Sequence, residues 1–184
     1  MRGKLIIVGG HSRHVGKTTL VARILDALRP APWTAIKVSS HSHRPRAGRG
    51  DTGAEAQASR YLLAGAVRAL LVRAADEAIA ETAAEVRRLI AAGENVIVES
   101  NRLAACCRAD AVLFVVAPDV ADWKGSSDGC VERAHALVIS GRASSTGPEH
   151  PRLRDQSPPL PRFRVAPESP GGELREWLWA RLQA

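Results

Sequence analysis

Residues 5–19 read Leu-Ile-Ile-Val-Gly-Gly-His-Ser-Arg-His-Val-Gly-Lys-Thr-Thr. The first four are apolar and form a run the length of a short strand, and from about Thr18 onward apolar residues recur at helical spacing as far as Leu28. A glycine-containing turn between a strand and a helix is the setting in which phosphate-binding loops occur. The sequence therefore predicts such a loop from Gly10 to Thr18.

The residue types in this stretch suit the phosphates of a nucleoside triphosphate, GTP or ATP. Gly16 allows close approach of the backbone, and backbone N–H groups at the start of a helix attract anions. Lys17 supplies a cation for the β- and γ-phosphates and has a catalytic role, while Thr18 offers a hydroxyl to Mg²⁺. The nucleotide-binding residues predicted in this loop are Gly10, His14, Val15, Gly16, Lys17, Thr18 and Thr19.

The spacing of the loop is one residue longer than in the common motif, because His11 stands where that motif has a glycine. Arg13 and His14 lie at the apex of the loop. Loop residues mostly face solvent, so both could contribute only their backbone. The alternative is that Arg13 is catalytic and stabilises charge on a transferring phosphoryl group.

Two acids are candidates for holding Mg²⁺ together with Thr18. Glu99 follows the apolar run 96–98, and Asp51 follows a basic loop. Ligands of open parallel sheets bind at the carboxyl ends of strands, which favours Glu99, although a carboxylate there can also cap a nearby N–H. Asp51 could equally be the N-cap of the next helix. Lys37, near the end of the second predicted strand, is a candidate contact for phosphate or substrate.

Other potential metal ligands are less well placed. His41 and His43 lie one residue apart, but no cysteine close in sequence completes a site. Cys106, Cys107 and Cys130 are an odd number, two of them adjacent, which predicts no disulfide framework. We expect reduced, mostly buried thiols in a cytoplasmic protein.

Composition narrows the class of protein. The 184 residues suit one α/β domain, and the net charge of +7 with a pI of about 10.1 attracts anions. No run of five basic residues occurs, so nucleic acid is not the expected partner. No apolar run approaches the roughly 20 residues of a membrane helix, so no membrane association is expected.

The chain alternates short apolar runs with helical stretches, which predicts an α/β fold with a mostly parallel sheet flanked by helices on both faces. We expect one domain over residues 1–184, with a proline-rich, flexible segment at 142–161 and a last strand at 162–165. The final helix places Leu174 and Leu178 on one face. Its Trp177 and Trp179 suggest docking on the core or on a second subunit, which leaves a homodimer open.

Several stretches together resemble the molybdopterin-guanine dinucleotide biosynthesis adaptor protein B family, of the P-loop GTPase superfamily. Besides the loop, they are Ala35-Ile36-Lys37, Gly50-Asp51-Thr52, Tyr61-Leu62-Leu63-Ala64-Gly65-Ala66, Val96-Ile97-Val98-Glu99, Phe114-Val115-Val116-Ala117-Pro118 and Asp122-Trp123-Lys124-Gly125-Ser126. The resemblance implies a P-loop NTPase that works with a molybdenum-cofactor synthesis enzyme.

The sequence also departs from that family. Ser100-Asn101 follows Glu99 where the family usually has a glycine, and no Asn-Lys-x-Asp motif for reading guanine occurs. The long loop spacing is also similar to dethiobiotin synthetase and the cobyrinic acid amidases. In those proteins an acid after the second strand and a strand-end glutamate hold magnesium. That similarity implies the same role for Asp51 and Glu99 and places Lys37 on the substrate side.

Three functions follow as hypotheses. The first is an Mg²⁺-dependent GTP- or ATP-binding accessory protein with weak triphosphatase activity, acting in molybdenum-cofactor biosynthesis. The second is an ATP-dependent small-molecule kinase or ligase related to dethiobiotin synthetase. A nucleic-acid-binding module is the third and least favoured, because the basic residues are spread along the chain.

Overall fold

A computed structural model describes residues 2–39, 52–141, 151–154, 159–165 and 171–183. Seven strands form one sheet in the order β3-β2-β4-β1-β5-β6-β7, and every neighbouring pair is parallel. The strands are β1 (Leu5–Gly10), β2 (Trp33–Ser39), β3 (Arg68–Arg73), β4 (Asn95–Glu99), β5 (Ala111–Val116), β6 (Ala136–Ser140) and β7 (Arg162–Val165). The strand that leads into the predicted loop is thus the central one.

Helices cover both faces of the sheet. They are α1 (Lys17–Ala27), α2 (Thr52–Leu63), α3 (Ile79–Ala91), α4 (Leu103–Cys106), α5 (Asp128–Val131), which follows a 3-10 turn at Gly125–Ser127, α6 (Pro151–Arg154) and α7 (Gly172–Gln183). Side chains of α1, α2 and α7 belong to one apolar cluster and those of α3, α4 and α5 to the other. The predicted parallel sheet between two helical layers is confirmed.

The central strand shows why its sequence is apolar throughout. Ile6 and Val8 point into the cluster under α1, whereas Leu5 and Ile7 point into the cluster under α3. Successive side chains of a strand face opposite sides, so a strand covered on both sides carries no polar alternation. The same reason explains the uninterrupted apolar run of β5, all six residues of which are buried.

The carboxyl ends of these strands bring the predicted site residues to one edge of the sheet. Glu99 is the register partner of Val8 on β1 and of Lys37 on β2. The glycine loop, by which we mean residues 10–18, begins where β1 ends. Two side chains from neighbouring strands therefore converge beside the loop, as the parallel topology requires.

The end of the chain differs in detail from expectation. β7 forms as predicted, and Leu174 and Leu178 of α7 are buried. Trp177 packs on Phe163 at a centroid distance of 5.6 Å, while Trp179 is 39% exposed. Within the proline-rich segment 142–161 the structure describes the short helix α6, whose Leu153 is buried; the flexibility of the segment stays a prediction.

Three residues considered above, Asp51, His41 and His43, lie outside the described residues. Among the residues that are described, no group of three or more His, Cys, Asp or Glu side chains could hold a metal ion. A helix of the length and apolarity needed to cross a membrane is likewise absent from the described ranges.

Candidate functional site

Two glycines shape the glycine loop. A Cβ on Gly10 would lie 2.8 Å from the carbonyl oxygen of Val115 and 2.9 Å from Cγ2 of Val15, so no side chain fits there. Gly16 has φ 95° and is the N-cap of α1, with no side chain capping the helix. The first N–H groups of α1 therefore have no partner within the helix. His14 also adopts a positive φ of 59° and is exposed.

Lys17 folds back over this loop. Its Nζ donates a hydrogen bond of 2.5 Å to the carbonyl oxygen of Ser12, on the opposite limb. Burial lowers the pKa of the Lys17 ammonium to about 8, against the opposing effect of the Glu99 carboxylate. A cation with this little hydration gains much from an anionic ligand. The structure therefore places the predicted site residue Lys17 over the glycine loop.

Thr18, Lys37 and Glu99 form a single cluster at the end of β4. The Thr18 hydroxyl donates to Glu99 Oε2 at 2.7 Å and accepts from Lys37 Nζ at 3.1 Å. Lys37 also pairs with Glu99 Oε1 at 3.0 Å. The Glu99 side chain is 7% exposed and that of Lys37 is 19% exposed. The structure thus brings together three of the predicted residues from three different elements.

Tyr61 completes this cluster and was not predicted as a site residue. It is fully buried on α2, and its hydroxyl donates to Glu99 Oε2 at 2.5 Å. Burial first, and then the Glu99 carboxylate, raises the pKa of Tyr61 well above its ordinary value, so the hydroxyl keeps its proton. The available signal was a single polar group on an otherwise apolar helix end, within the stretch 61–66.

The donor set fits a magnesium ion. Thr18 Oγ1 and Glu99 Oε2 are hard oxygen donors 2.7 Å apart at a helix start, and Mg²⁺ prefers such ligands. The Lys37 ammonium contacts both Thr18 and Glu99, so positive charge already lies beside these two oxygen donors. Thr18 and Glu99 are the described residues that would hold the ion.

His11 explains why the loop tolerates a residue other than glycine at that position. Its side chain is fully buried, with Nε2 3.0 Å from the Val120 carbonyl oxygen and Nδ1 3.4 Å from that of Val115. The imidazole packs against the Trp123 ring at a centroid distance of 5.9 Å. The extra residue of the loop is thus used to anchor its first limb to the chain beyond β5.

Residues 122–128, which we call the 122–128 segment, hold the same limb of the loop. The Ser12 hydroxyl donates to Asp122 Oδ2 at 2.6 Å, and the Lys124 N–H donates to the His11 carbonyl at 2.9 Å. The Ser127 hydroxyl lies 3.0 Å from that same carbonyl oxygen and donates to it. The stretch 122–126, one of those that carry the family resemblance, thus forms part of the wall of the site.

Asn101 belongs to the pair Ser100-Asn101, which follows Glu99 where the adaptor family usually has a glycine. Its Oδ1 accepts from the Gly10 N–H at 2.8 Å, and its Nδ2 donates to the Gly10 carbonyl at 2.9 Å and to Ser127 Oγ at 3.1 Å. One amide thereby satisfies both backbone groups of Gly10. The departure from the family pattern therefore builds part of the loop's support.

Lys124 adds a further cation, also missed from the sequence. It is half-buried, and burial followed by the nearby Arg13 guanidinium lowers its pKa. Lys124 in turn contributes to lowering the pKa of Lys17. Arg13 itself is exposed at the apex of the loop. Thr19 accepts a hydrogen bond of 3.1 Å from Arg60 on α2.

A cleft of about 250 Å³ opens beside the loop, between the start of α1 and the carboxyl ends of β5 and β6. Its lining includes His14, Gly16, Asp119 and Ser140. The Ser140 hydroxyl donates to the Val15 carbonyl at 2.6 Å, which ties β6 to the loop. A group attached to a phosphate in the loop would have room in this cleft.

Comparison with known proteins identifies the fold but no family. No protein-family profile matches the chain, and no curated protein does. Among solved structures, the chain is similar to HypB from Helicobacter pylori, determined in complex with nickel, with a TM-score of 0.63 and 14% identity. The match covers 98% of this chain and 88% of HypB. The chain therefore has the α/β P-loop NTPase fold.

Proposed function

We propose that the protein binds a nucleoside triphosphate, GTP or ATP, with Mg²⁺ in the glycine loop, hydrolyses it slowly, and acts as an accessory factor in molybdenum-cofactor biosynthesis. The observation that carries the binding proposal is the contact between Thr18 and Glu99 beside Lys17. A hydroxyl at the start of the helix, a strand-end acid and a lysine over the loop are the groups that a magnesium triphosphate requires.

The residues of the site would have separate roles in binding the nucleotide. Lys17 would exchange the Ser12 carbonyl for phosphate oxygens, and the first N–H groups of α1 would bind the same phosphates. Magnesium, when bound, supplies positive charge to the phosphate oxygens. Arg13 and Lys124 add charge at the apex of the loop, where a terminal phosphate would project.

Slow hydrolysis follows from the state of the acid. Glu99 accepts from Thr18 and Tyr61 at Oε2 and pairs with Lys37 at Oε1, so its orientation is fixed. A carboxylate in that condition is poorly placed to take a proton from water. Among the described residues, Glu99 is the carboxylate that contacts Thr18 and Lys37. Its fixed orientation supports a nucleotide-binding protein over a fast hydrolase.

The molybdenum-cofactor role is supported by how the resembling stretches meet. Lys37, Tyr61, Glu99 and the 122–128 segment are far apart in sequence, yet all of them contact the glycine loop or each other. A resemblance confined to chance apolar runs would not be expected to converge on one site. A molybdenum-cofactor synthesis enzyme is therefore the proposed partner.

A kinase or ligase related to dethiobiotin synthetase is the second candidate. It is favoured by Lys37, whose ammonium lies at the carboxyl edge of β2 beside the loop. From there it could hold an anionic acceptor once a metal ion replaces it at Glu99. Turnover that requires one metabolite would separate this activity from slow, acceptor-independent hydrolysis.

The similar structure of HypB was determined with nickel, which raises the question of whether this chain has a nickel site as well. No cluster of three metal-ligating side chains occurs in the described ranges, and the histidines at 41 and 43 lie outside them. The proposed function therefore rests on the nucleotide site rather than on a nickel site.

The test is the magnesium dependence of nucleotide binding in variants of the two ligands. Calorimetric titration with a non-hydrolysable GTP or ATP analogue is expected to show binding that Mg²⁺ strengthens in the unmodified protein. Thr18→Val and Glu99→Gln should lose most of that strengthening. A variant of matched size away from the loop, Thr82→Val, serves as control. Equal magnesium effects in all four proteins would refute the assignment of Thr18 and Glu99.

A further inference from the structure

A second large concavity lies at the opposite edge of the sheet from the glycine loop. It has a volume of about 910 Å³ and is lined by residues that precede β1, β5 and β6 and by the end of α7. We call it the amino-edge groove. Its floor contains small apolar side chains, among them Ala104, Ala109 and Val112. None of the nucleotide-site residues lines it.

The groove carries an excess of positive charge. Its lining has five basic side chains and two carboxylates; the basic residues are Arg2, Lys4, Arg108, Arg133 and Arg181. Because the positive charges outnumber the negative ones, they repel one another, and such an arrangement attracts an anionic partner. The excess of three positive charges is a large share of the net +7 of the whole chain.

The two carboxylates offset only part of this charge. Asp110 is held by Arg2 at 2.6 Å, by the Leu5 N–H at 2.8 Å and more distantly by Lys4 at 3.8 Å. Arg108 and Arg133 are both exposed, and their guanidinium groups make no hydrogen bond or ion pair within the part of the chain that the structure describes. These two guanidiniums are thus available to a ligand.

Two further polar side chains of the groove, His135 and Arg181, are donors as well. Nδ1 of His135 accepts from the Val112 N–H at 3.0 Å, so a neutral ring carries its proton on Nε2. Burial, and then Arg181, lowers the pKa of His135 and keeps the ring neutral. Arg181 donates from Nε to the Asp110 carbonyl at 2.6 Å and stacks on Trp177 at 5.5 Å, which fixes its guanidinium without neutralising it.

The lining favours a carboxylate-bearing polypeptide over a nucleic acid. No Phe, Tyr or Trp side chain is among the described residues of the lining, and stacking platforms of such side chains are typical of single-strand binding. Small apolar side chains, by contrast, suit the aliphatic stems of acidic residues between widely spaced guanidiniums.

We propose that the amino-edge groove binds an extended acidic segment of a partner protein. Arg108 and Arg133 pair with its carboxylates, and His135 and Arg181 donate to its polar atoms. The groove and the glycine loop lie at opposite ends of the strands, so a partner could bind without covering the nucleotide site. This proposal does not depend on nucleotide binding.

The test is fluorescence anisotropy of a labelled peptide of alternating Glu and Ala, titrated with the full chain at low salt. Arg108→Glu and Arg133→Glu are each expected to weaken binding about fivefold to tenfold, because each reverses a charge in the groove. Arg175→Glu is the matched control, since it makes the same charge change at an exposed position on α7 outside the groove and should have little effect.

Three results would overturn the proposal. They are the absence of measurable peptide binding, an equal loss in Arg175→Glu, and tighter binding of a single-stranded oligonucleotide that the two groove variants also weaken. Magnesium–nucleotide titration of the same variants separates this test from the nucleotide proposal, because neither Arg108 nor Arg133 lies at the glycine loop. Thermal unfolding of each variant verifies that it is folded.

Discussion

The Tyr61 hydroxyl donates a hydrogen bond of 2.5 Å to Glu99 Oε2, and both side chains are buried. Tyr61 lies on α2, whereas Glu99 ends β4, so the contact joins a peripheral helix to the acid at the sheet edge. Together with Thr18 and Lys37, it gives Glu99 donors from three elements. Helix α2 thereby positions the acid beside the glycine loop.

Replacing Tyr61 by Phe should therefore lower both the stability of the protein and the affinity of the site for Mg²⁺. Loss of a buried hydrogen bond to a charged acceptor is expected to lower the free energy of unfolding by about 1–3 kcal/mol, measured by urea denaturation. The Mg²⁺ concentration that half-saturates nucleotide binding should rise about tenfold, as for other residues that orient a metal ligand. Trp179→Phe, at an exposed position, is the control. A change in stability alone would mean that Tyr61 does not position Glu99.

Lys37→Met should make the thermal stability of the protein depend on a divalent cation. The variant leaves the buried Glu99 carboxylate without its ammonium partner, which costs about 3–5 kcal/mol in comparable sites. Mg²⁺ without nucleotide should then raise the melting temperature of the variant more than that of the unmodified protein. Lys4→Met, which removes a longer and more exposed contact to Asp110, is the matched control. Equal magnesium effects on all three proteins would argue against a cation position between Thr18 and Glu99.

Asn101→Ala should loosen the first limb of the glycine loop. It removes the acceptor of the Gly10 N–H, and leaving such a group unsatisfied costs about 1–3 kcal/mol, whereas the Gly10 carbonyl keeps the Ser127 hydroxyl at 3.1 Å. We expect a lower free energy of unfolding and weaker binding of a triphosphate analogue. Ser126→Ala, which removes an exposed hydroxyl 3.4 Å from the same amide, should change neither quantity appreciably. Identical behaviour of the two variants would contradict the role given to Asn101.

Nucleotide affinity should fall at alkaline pH. The pKa of Lys17 is lowered to about 8 in the free protein, and phosphate would raise it on binding, because it favours the charged ammonium. Binding is then coupled to proton uptake above pH 8, and affinity decreases as pH rises through that value. Calorimetry at pH 8.5 in two buffers of different ionisation enthalpy measures the uptake. Proton release, or none, would contradict the account of Lys17.

Much of the site was predictable because its chemistry is local or lies at strand ends. The order of strand, glycines and helix predicted the loop, and Thr18 followed from its place after Lys17. Glu99 was identifiable as a single acid that ends an apolar strand. Parallel strands end at the same edge, so its meeting with Lys37 follows from topology once both strands are recognised.

The missed residues depend on contacts between distant parts of the chain. Tyr61 is 38 residues from Glu99, and Asn101 is 91 residues from Gly10. Their roles depend on the packing of a helix and a loop whose positions periodicity does not determine. In the sequence His11 stands out only as a departure from a motif, because burial of its ring against Trp123 depends on the fold of the 122–128 segment.

The central claim is that the glycine loop binds a magnesium triphosphate through Lys17. The most direct measurement is calorimetric titration of the unmodified protein and of Lys17→Ala with GTP and ATP analogues, each with and without Mg²⁺. The account predicts magnesium-dependent binding that Lys17→Ala abolishes while its thermal unfolding remains cooperative. Absence of binding by the unmodified protein, or unchanged affinity in Lys17→Ala, would contradict it.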